Sequence, residues 1–433
     1  MIVRHNLGAH FWRRRVSSEE RKNVKLIANT LRAMADERSN RGNWSDGEEE
    51  DPTQSLLFKR IEALYTLFQP FIHDPSNFNT LAYPLDDFMR DLNEILVDLQ
   101  SDGFDPNPYT FVKAKTQFVD CASFSVLFFS DLLTFYKTRK TPSTFPIKNI
   151  TIMLNEAIDF IQGSVHQDQD GASWASSTVT SLGAVYFNSV YFTSWAMLAL
   201  NKALEHKDPY DESKLTKSQY LLRQAAVWLM NRKKGKTYFG DKAHTKSGLN
   251  YQTYALISLL QSFENQDTVV QKFTSDLLKD YLTKLATLEG LPSVGYLDAF
   301  IPEGEVPTYY DDRWTEGTIL YALCLARMIL PEPDIFDSTY FKLMKTLQIR
   351  LLGNRGSNNL WESSVYLMTS NYWAIKSLLL FNKYGQTLTF NISESDLIAA
   401  LKRTMAHPQV LNLFLKELQS RSILTAVERE SED

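Results

Sequence analysis

The stretch LNYQTYALISLLQSFEN, residues 249–265, decides the fold class, because it is apolar on nearly every face of a helix. A helix of this kind must be buried on most of its sides. The stretch KSQYLLRQAAVWLMN, residues 217–231, precedes it and carries one apolar stripe, with Arg223 and Gln224 outside the stripe. A one-sided stripe is typical of a helix that covers a core. Together the two stretches predict a buried helix paired with a covering helix.

The same pair of helices recurs along the chain. Five segments rich in aromatic residues, Ser and Leu are predicted as buried helices, and their first residues lie 68, 64, 64 and 51 residues apart. They are Gln117–Lys137, Val185–His206, Leu249–Asn265, Arg313–Leu330 and Ser364–Tyr384. Each follows an ordinary amphipathic helix, and these are Asp86–Gln100, Lys148–Gln162, Lys217–Asn231, Thr274–Leu288 and Ser338–Leu352. Sustained alternation of β-branched residues, the usual strand signal, is almost absent.

Alternating buried and covering helices can form a closed double ring or an open solenoid. An open solenoid exposes both helix types, whereas the buried type here is too apolar to face water. We therefore predict an all-α fold, an α/α toroid of five to six helical hairpins with inner and outer helix rings. The predicted segments are a basic N-terminal helical arm over residues 1–41, an acidic flexible linker over 42–53, the toroid over 54–392, and C-terminal helices with an acidic tail over 393–433.

Composition excludes several classes of protein. The 433 residues are 44% hydrophobic and 22% charged, which is the balance of a soluble globular protein. No uninterrupted apolar run reaches 18 residues, so no transmembrane segment is predicted. Cys121 and Cys324 are too few for a disulfide framework or a multi-cysteine zinc site, and the seven His show no metal-ligand spacing. Neither a metal nor a cofactor is predicted, and phosphate-binding and dinucleotide motifs are absent.

The N-terminus is strongly basic. The first 41 residues hold ten Lys or Arg and four acids, and Arg13, Arg14 and Arg15 form a triple next to Phe11 and Trp12. Such a segment is typical of an organelle-targeting peptide, or of an arm that binds phosphates or the acidic face of a partner. The simplest interpretation is an amphipathic first helix that docks on the body, because Val24, Ile27, Ala28, Leu31 and Met34 recur at helical spacing after Ser17–Glu20. No apolar segment follows the charges, so a secretory signal is not predicted. We expect a cytoplasmic protein, with organelle targeting left open.

Parts of the repeat resemble a known group. Leu222–Leu229, followed by Tyr238-Phe-Gly240 and Tyr251–Leu256, resembles the repeat of the α/α-toroid superfamily of squalene and terpene cyclases and protein prenyltransferase β subunits. Gln167–Trp174 is similar to the cyclases' Gln-x-x-x-Gly-x-Trp element, with one extra residue before the Trp. The resemblance covers roughly Asp86–Tyr384 and implies a fold more than a function.

The same resemblance supplies little chemistry. The cyclases protonate their substrate with an Asp-x-Asp-Asp element, and the nearest match is Tyr309-Tyr310-Asp311-Asp312. The resemblance puts Asp311 in the place of the proton donor, but Tyr309 stands where the first Asp belongs. The zinc site of the prenyltransferases needs Asp, Cys and His; Asp120 and Cys121 are adjacent here, with no His at a matching place.

The connection over Gly290–Glu316 is the longest in the repeat region. Asp311, Asp312 and Glu316 in it are the candidate catalytic residues, and they lie among aromatic residues. Carboxylates beside aromatic rings are typical both of glycan-processing clefts and of protein-binding loops. The candidate residues for contact with a ligand or partner are Trp174, Tyr238, Tyr296, Tyr309, Tyr310, Trp314 and Trp361, together with Arg13, Arg14 and Arg15.

Each known catalytic motif is broken or absent, so the sequence favours a non-catalytic binding or regulatory protein. It would present the toroid and the aromatic-acidic loop to a macromolecular partner, most simply another protein, with nucleic acid bound only through the basic arm. The alternative is an enzyme that uses the toroid cavity on a glycan, as a hydrolase or lyase with paired carboxylates, or on an isoprenoid. The sequence does not predict the oligomeric state.

Overall fold

The computed structural model describes residues 18–41, 44, 57–102, 119–139, 145–180, 183–233, 249–287, 315–330, 335–361 and 367–385. Six helices form an inner ring. They are α2 (Leu57–His73), α4 (Val119–Arg139), α6 (Val190–Glu205), α8 (Leu249–Gln261), α10 (Thr315–Ile329) and α12 (Leu367–Tyr384). Each packs against the next in chain order, and α12 packs against α2, which closes the ring. The predicted α/α toroid is therefore confirmed.

The outer ring consists of amphipathic helices, which cover the inner helices with their apolar sides. It consists of α1 (Ser18–Arg41), α3 (Leu85–Asp102), α5 (Ile147–Gly163), α7 (Glu212–Lys233), α9 (Thr268–Thr287) and α11 (Ser338–Gly353). In α7, Leu221, Leu222, Ala225 and Leu229 are buried, and Arg223 is exposed. The apolar stripe thus faces inward, as its helical spacing predicts.

Helix α1 is an integral part of the outer ring. The Asn23 side chain donates to Asn382 Oδ1 of α12 at 2.8 Å and accepts from Gln348 Nε2 of α11 at 3.2 Å. Near the other end of α1, Arg38 forms a two-point ion pair with Asp91 of α3, at 3.0 and 3.1 Å. Residues 18–41 thus link α11 to α3. The wider division of the chain into arm, linker, toroid and cap stays a prediction.

All six inner helices run in the same direction, because contacting residues rise together in sequence number from helix to helix. The pairs are Phe58 with Phe124 and Tyr65 with Asp131 between α2 and α4, Phe124 with Trp195 and Asp131 with Lys202 between α4 and α6, Tyr191 with Tyr254 and Asn201 with Gln261 between α6 and α8, Gly317 with Trp373 and Tyr321 with Lys376 between α10 and α12, and Glu62 with Thr369 and Tyr65 with Tyr372 between α2 and α12. The N-termini of the inner helices therefore lie at one end of the ring, here called the N-terminal mouth. The opposite end, where the inner helices finish, is the C-terminal face.

Aromatic side chains fill the middle of the inner ring. Every inner helix contributes at least one ring to this aromatic layer, and neighbouring ring centroids lie 4.3–5.9 Å apart. Its members are Tyr65, Phe124, Trp195, Tyr254, Tyr321, Tyr372 and Trp373. Tilted and edge-on contacts of this kind are the favoured geometry for aromatic pairs. The layer separates the N-terminal mouth from the C-terminal face.

One part of the sequence-based prediction is wrong. Between α5 and α6 the chain forms three antiparallel strands in the order β1-β2-β3, where β1 is His166–Asp168, β2 is Gly171–Thr180 and β3 is Gly183–Ser189. The sequence showed almost no strand signal and predicted a helix from Val185. Val185, Tyr186 and Phe187 instead pair with β2, which suits their preference for extended backbone.

Helix α4 is long and apolar enough to cross a bilayer over Val119–Thr138, by length and composition. Within the toroid, 78% of that window is buried. Helix α4 packs against α2, α5 and α6, and this burial on several sides accounts for its apolar composition.

The close approach of α10 to α12 yields a stability prediction. A Cβ at Gly317 would lie 3.0 Å from the Trp373 carbonyl carbon and 3.1 Å from the Ala374 nitrogen. We expect Gly317→Ala to lower the free energy of unfolding by about 1–3 kcal/mol, because the two helices would be forced apart. Urea denaturation measures this change.

Gly353→Ala is the matched control. A Cβ there would have no heavy atom within 4 Å, and the residue ends α11. This substitution should be neutral or stabilising by up to about 1 kcal/mol. Equal stability of the two variants would contradict the close packing of α10 on α12.

Candidate functional site

Three of the residues selected from the sequence lie in the described part of the chain: Trp174, Glu316 and Trp361. The others lie outside the described residues, and their assignment stays a prediction. They are Asp311, Asp312, Tyr238, Tyr296, Tyr309, Tyr310, Trp314, Arg13, Arg14 and Arg15.

Trp174 and Trp361 have equivalent positions, each after an outer helix. Trp174 Nε1 donates to the Ile161 carbonyl in the last turn of α5 at 2.7 Å. Trp361 Nε1 donates to the Leu351 carbonyl in the last turn of α11 at 2.6 Å. Both indoles therefore satisfy carbonyls that a helix C-terminus leaves without an intrahelical partner.

The backbone of the same two residues fixes the inner helix that follows. The Trp174 N–H donates to Thr193 Oγ1 of α6 at 3.1 Å, and the Trp361 N–H donates to Asn371 Oδ1 of α12 at 3.2 Å. Both tryptophans have 0% exposed surface. The assignment of these two rings to a ligand or partner surface is therefore corrected: they join an outer helix to the next inner one.

Glu316 lies in the first turn of α10, at the N-terminal mouth. Its side chain is almost buried, and Oε1 accepts from Asn354 Nδ2 at 3.3 Å. Asn354 is the residue that follows the last turn of α11. A carboxylate at this place is favoured by the positive end of the α10 dipole. Glu316 thus lies at the entrance of the ring and also connects two helices.

A group of charged residues at the same mouth was not selected from the sequence. Lys59 Nζ donates to Thr369 Oγ1 at 3.0 Å, and Thr369 Oγ1 donates to Glu62 Oε2 at 2.9 Å. Lys59 Nζ also lies 3.6 Å from Glu62 Oε2. All three side chains are buried, and the hydroxyl of Thr369 connects this α2 ion pair to α12 inside the ring.

Asp120, the second residue of α4, is a further acid at this mouth, and its pKa is shifted. Its side chain is half-buried, and Oδ1 accepts the Cys121 N–H at 2.9 Å. Burial raises the pKa of Asp120 to about 6, although this hydrogen bond and the charge of Lys59 act in the opposite direction. Across the mouth, burial and then the charge of Asp120 raise the pKa of Tyr191 well above its usual value. A carboxyl group that titrates near pH 6 is suited to general acid catalysis.

The helix direction adds a positive potential. Each helix N-terminus carries a partial positive charge, and the six inner helices all begin at this end. Glu62 balances the charge of Lys59 at the same end. The helix N-termini can hold an anionic group beside Asp120, a proton donor.

The sequence carried a signal for these residues. Lys59 and Glu62 are charges within the apolar stretch LLFKRIEALYTLF, residues 56–68, and Asp120 begins the apolar stretch DCASFSVLFF, residues 120–129. From the sequence, Asp120 stood out only as a possible zinc ligand beside Cys121, with no His at a matching place. Burial raises the pKa of the thiols of Cys121 and Cys324 well above their usual value, which keeps them protonated. Within the described ranges no three His, Cys, Asp or Glu side chains are grouped as metal ligands.

Neither a protein-family model nor a curated protein sequence matches the chain. Solved structures match in fold. An unsaturated glucuronyl hydrolase from Streptococcus agalactiae is 12% identical with a TM-score of 0.55, covering 85% of this chain and 94% of its own. One from Bacillus sp. GL1, responsible for degradation of glycosaminoglycan, is 12% identical with a TM-score of 0.53, covering 84% and 98%. A possible member of the GH105 family from Salmonella enterica is 11% identical with a TM-score of 0.54, covering 88% and 99%.

Identities this low establish the fold alone, the α/α toroid. They do not specifically support the terpene cyclase and prenyltransferase part of the resemblance. They also correct one expectation, because these structural neighbours are glycan-acting enzymes. The non-catalytic binding or regulatory role favoured from the sequence is contradicted, and the glycan alternative is better supported.

The roles of the two tryptophans can be tested by substitution. Trp361→Phe and Trp174→Phe should each lower the free energy of unfolding by about 1–3 kcal/mol, because a buried carbonyl loses its donor. Urea denaturation measures this change. Wild-type stability of either variant would contradict the structural role of its indole N–H and restore the ligand-contact assignment.

Proposed function

We propose that the protein is a glycan-acting enzyme that releases an acidic sugar from an oligosaccharide at the N-terminal mouth. The observation that carries the proposal is Asp120, a half-buried carboxyl group with a pKa raised to about 6, beside Lys59 at the start of the inner ring. Asp120 is the general acid: at neutral pH a useful fraction is protonated and can donate a proton to the bond that breaks.

The substrate class is inferred from the helix dipoles at the mouth. Six helix N-termini favour an anionic group, and a uronate carboxylate provides one. The fold neighbours are unsaturated glucuronyl hydrolases, and a structure of the Streptococcus agalactiae enzyme is complexed with dGlcA-GalNAc6S. We propose the same class of terminal uronyl sugar as substrate for this chain.

A second carboxylate would activate water or stabilise the developing positive charge on the sugar, as in glycosidases generally. Glu316 begins α10 at the mouth, and Asp311 and Asp312 precede α10 in sequence by a few residues. These three remain the candidates for that role. The resemblance to terpene cyclases and prenyltransferases supports only the fold, and we do not propose isoprenoid chemistry.

Asp120→Asn tests the proton donor. It should lower kcat/KM for dGlcA-GalNAc6S by at least about 100-fold, because an amide cannot supply the proton. Loss of the ultraviolet absorbance of the unsaturated uronate reports release of the sugar. In the wild-type protein the rate should fall as the pH rises above about 6, the pKa of Asp120.

Stability separates a chemical effect from misfolding. A carboxyl group whose folded pKa is raised destabilises the fold once the pH exceeds its unfolded pKa, because the fold disfavours the charged form. Asp120→Asn should therefore be at least as stable as wild type at pH 7. Asp86→Asn, an exposed acid in the first turn of α3, is the matched control and should keep full activity. Wild-type activity in Asp120→Asn, or no cleavage of any uronyl oligosaccharide by wild type, would contradict the proposal.

A further inference from the structure

A second charged group lies on the other side of the aromatic layer, near the C-terminal face. Asp131 of α4 is buried, and its Oδ1 lies 2.7 Å from Lys202 Nζ of α6. Its Oδ2 accepts from the Tyr65 hydroxyl of α2 at 2.8 Å and lies 3.9 Å from His73 Nε2. Burial alone would raise the pKa of Asp131, but Lys202 and His73 outweigh it and lower that pKa. Asp131 is therefore an ionised carboxylate within the ring.

Lys376 of α12 lies next to this pair and is not matched by a carboxylate. Its Nζ donates to the Tyr372 hydroxyl at 2.7 Å and lies 4.9 Å from the ring centroids of both Tyr321 and Tyr372, and 5.5 Å from that of Trp373. Among the residues that the structure describes, no carboxylate lies within ion-pairing distance of this Nζ. The Tyr372 hydroxyl accepts one of the three N–H groups of the ammonium, and the ring faces do not replace a hydrogen-bond acceptor. The ammonium group can therefore donate a further hydrogen bond.

The charges of this region do not balance. Among the described charged residues that act on Lys376, Lys202 is a second lysine and Asp131 is the one carboxylate, so the lysines exceed the carboxylates by one when all are charged. Glu205, Glu264 and Lys383 are exposed to solvent. Lys383 Nζ donates to the His73 carbonyl at 2.9 Å. A largely buried ammonium group without a counter-ion is costly, and an apolar side chain would fill the same space without that cost. The arrangement is thus suited to a bound anion.

The region is open to solvent at its rim. The side chains of His73 and Glu205 are 50% and 51% exposed, whereas Lys202 is 16% exposed. The edge of this region therefore reaches solvent at the C-terminal face.

We propose that this C-terminal cluster, formed by His73, Asp131, Lys202 and Lys376, binds a small oxyanion, with Lys376 Nζ as its main donor and Lys202 beside it. The ligand group is a carboxylate, sulfate or phosphate on a small molecule. The site does not depend on the function proposed for the N-terminal mouth, since the aromatic layer separates the two.

The same geometry predicts a pH dependence. Burial lowers the pKa of Lys376 to about 7, with Asp131 raising it and Lys202 lowering it further. The pKa values of Tyr65, Tyr321 and Tyr372 are raised, and that of His73 is lowered to about 4. The pKa of Asp131 is lowered, so these five groups hold their charge near neutral pH. Burial raises the pKa of Glu205 at the exposed edge of the region. If only protonated Lys376 binds the anion, affinity should fall about tenfold from pH 6 to pH 8 around this pKa of about 7.

Thermal unfolding of the full-length protein tests the site. Sulfate, phosphate or glucuronate is added to the protein at pH 6.5, and chloride at the same ionic strength is the reference. Wild type should show a saturable rise in Tm with at least one of the three anions, because a ligand that binds only the native state stabilises it. Lys376→Met, which keeps the length of the side chain and removes the charge, should lose that rise.

Lys217→Met, an exposed lysine of α7, is the matched control and should keep the rise. A larger effect of glucuronate than of sulfate and phosphate would identify an acidic sugar as the ligand, and the reverse order would identify an inorganic anion. Equal stabilisation of wild type and Lys376→Met, or no anion-specific rise in wild type, would overturn the proposal.

Calorimetry on the wild-type protein covers the case in which Lys376→Met does not fold. Titration with the most stabilising anion at pH 8, in two buffers of different ionisation enthalpy, measures protons taken up on binding. Uptake is expected because the anion raises the pKa of Lys376. Absence of anion binding, or binding without proton uptake and with the same affinity at pH 6 and pH 8, would also overturn the proposal.

Discussion

The contact between α12 and α2 is the constraint on which the rest of the structure depends. It joins parts of the chain about 300 residues apart, as in the hydrogen bond from Thr369 to Glu62. Bringing such distant segments together costs conformational entropy, and ring contacts such as Tyr65 with Tyr372 offset it by burying large surfaces. Helix α1 strengthens the closure from outside, because Asn23 contacts both α11 and α12. Without this closure the apolar inner helices would face water.

Closure with parallel inner helices also gives the ring two chemically different ends. Helix N-termini favour anions and helix C-termini favour cations. At the N-terminal mouth the acid Asp120 begins an inner helix, and at the C-terminal face Lys202 and Lys383 lie in the last turns of theirs. The aromatic layer keeps the two ends apart, so the two proposed sites do not depend on each other.

Most of the fold could be predicted from the sequence, because each inner helix is apolar all round and each outer helix is not. Leu249 and Ser338 begin α8 and α11, as the patterns predicted. The strands were missed because β3, Gly183–Ser189, runs directly into α6, and its apolar residues were counted as the start of that helix. Helix α2 was not predicted as a separate helix from the sequence, although Ile61, Leu64 and Phe68 follow a helical spacing. The helical spacing of Val24, Ile27, Ala28, Leu31 and Met34 predicted that the first helix docks on the body, but not that α1 belongs to the outer ring.

The candidate site was harder to predict for a different reason. Lys59 and Asp120 are 61 residues apart in sequence, and they influence each other only because α2 and α4 lie side by side in the closed ring. No local motif records such a pair, so the absence of motifs favoured a non-catalytic protein, and that inference was wrong. Trp174 and Trp361 show the opposite error: aromatic residues beside Gly and acidic residues suggest a binding surface, but their indole N–H groups satisfy helix ends. In a toroid the chemistry depends on charged residues that interrupt apolar inner helices, since burial there changes the pKa of a carboxyl or amino group.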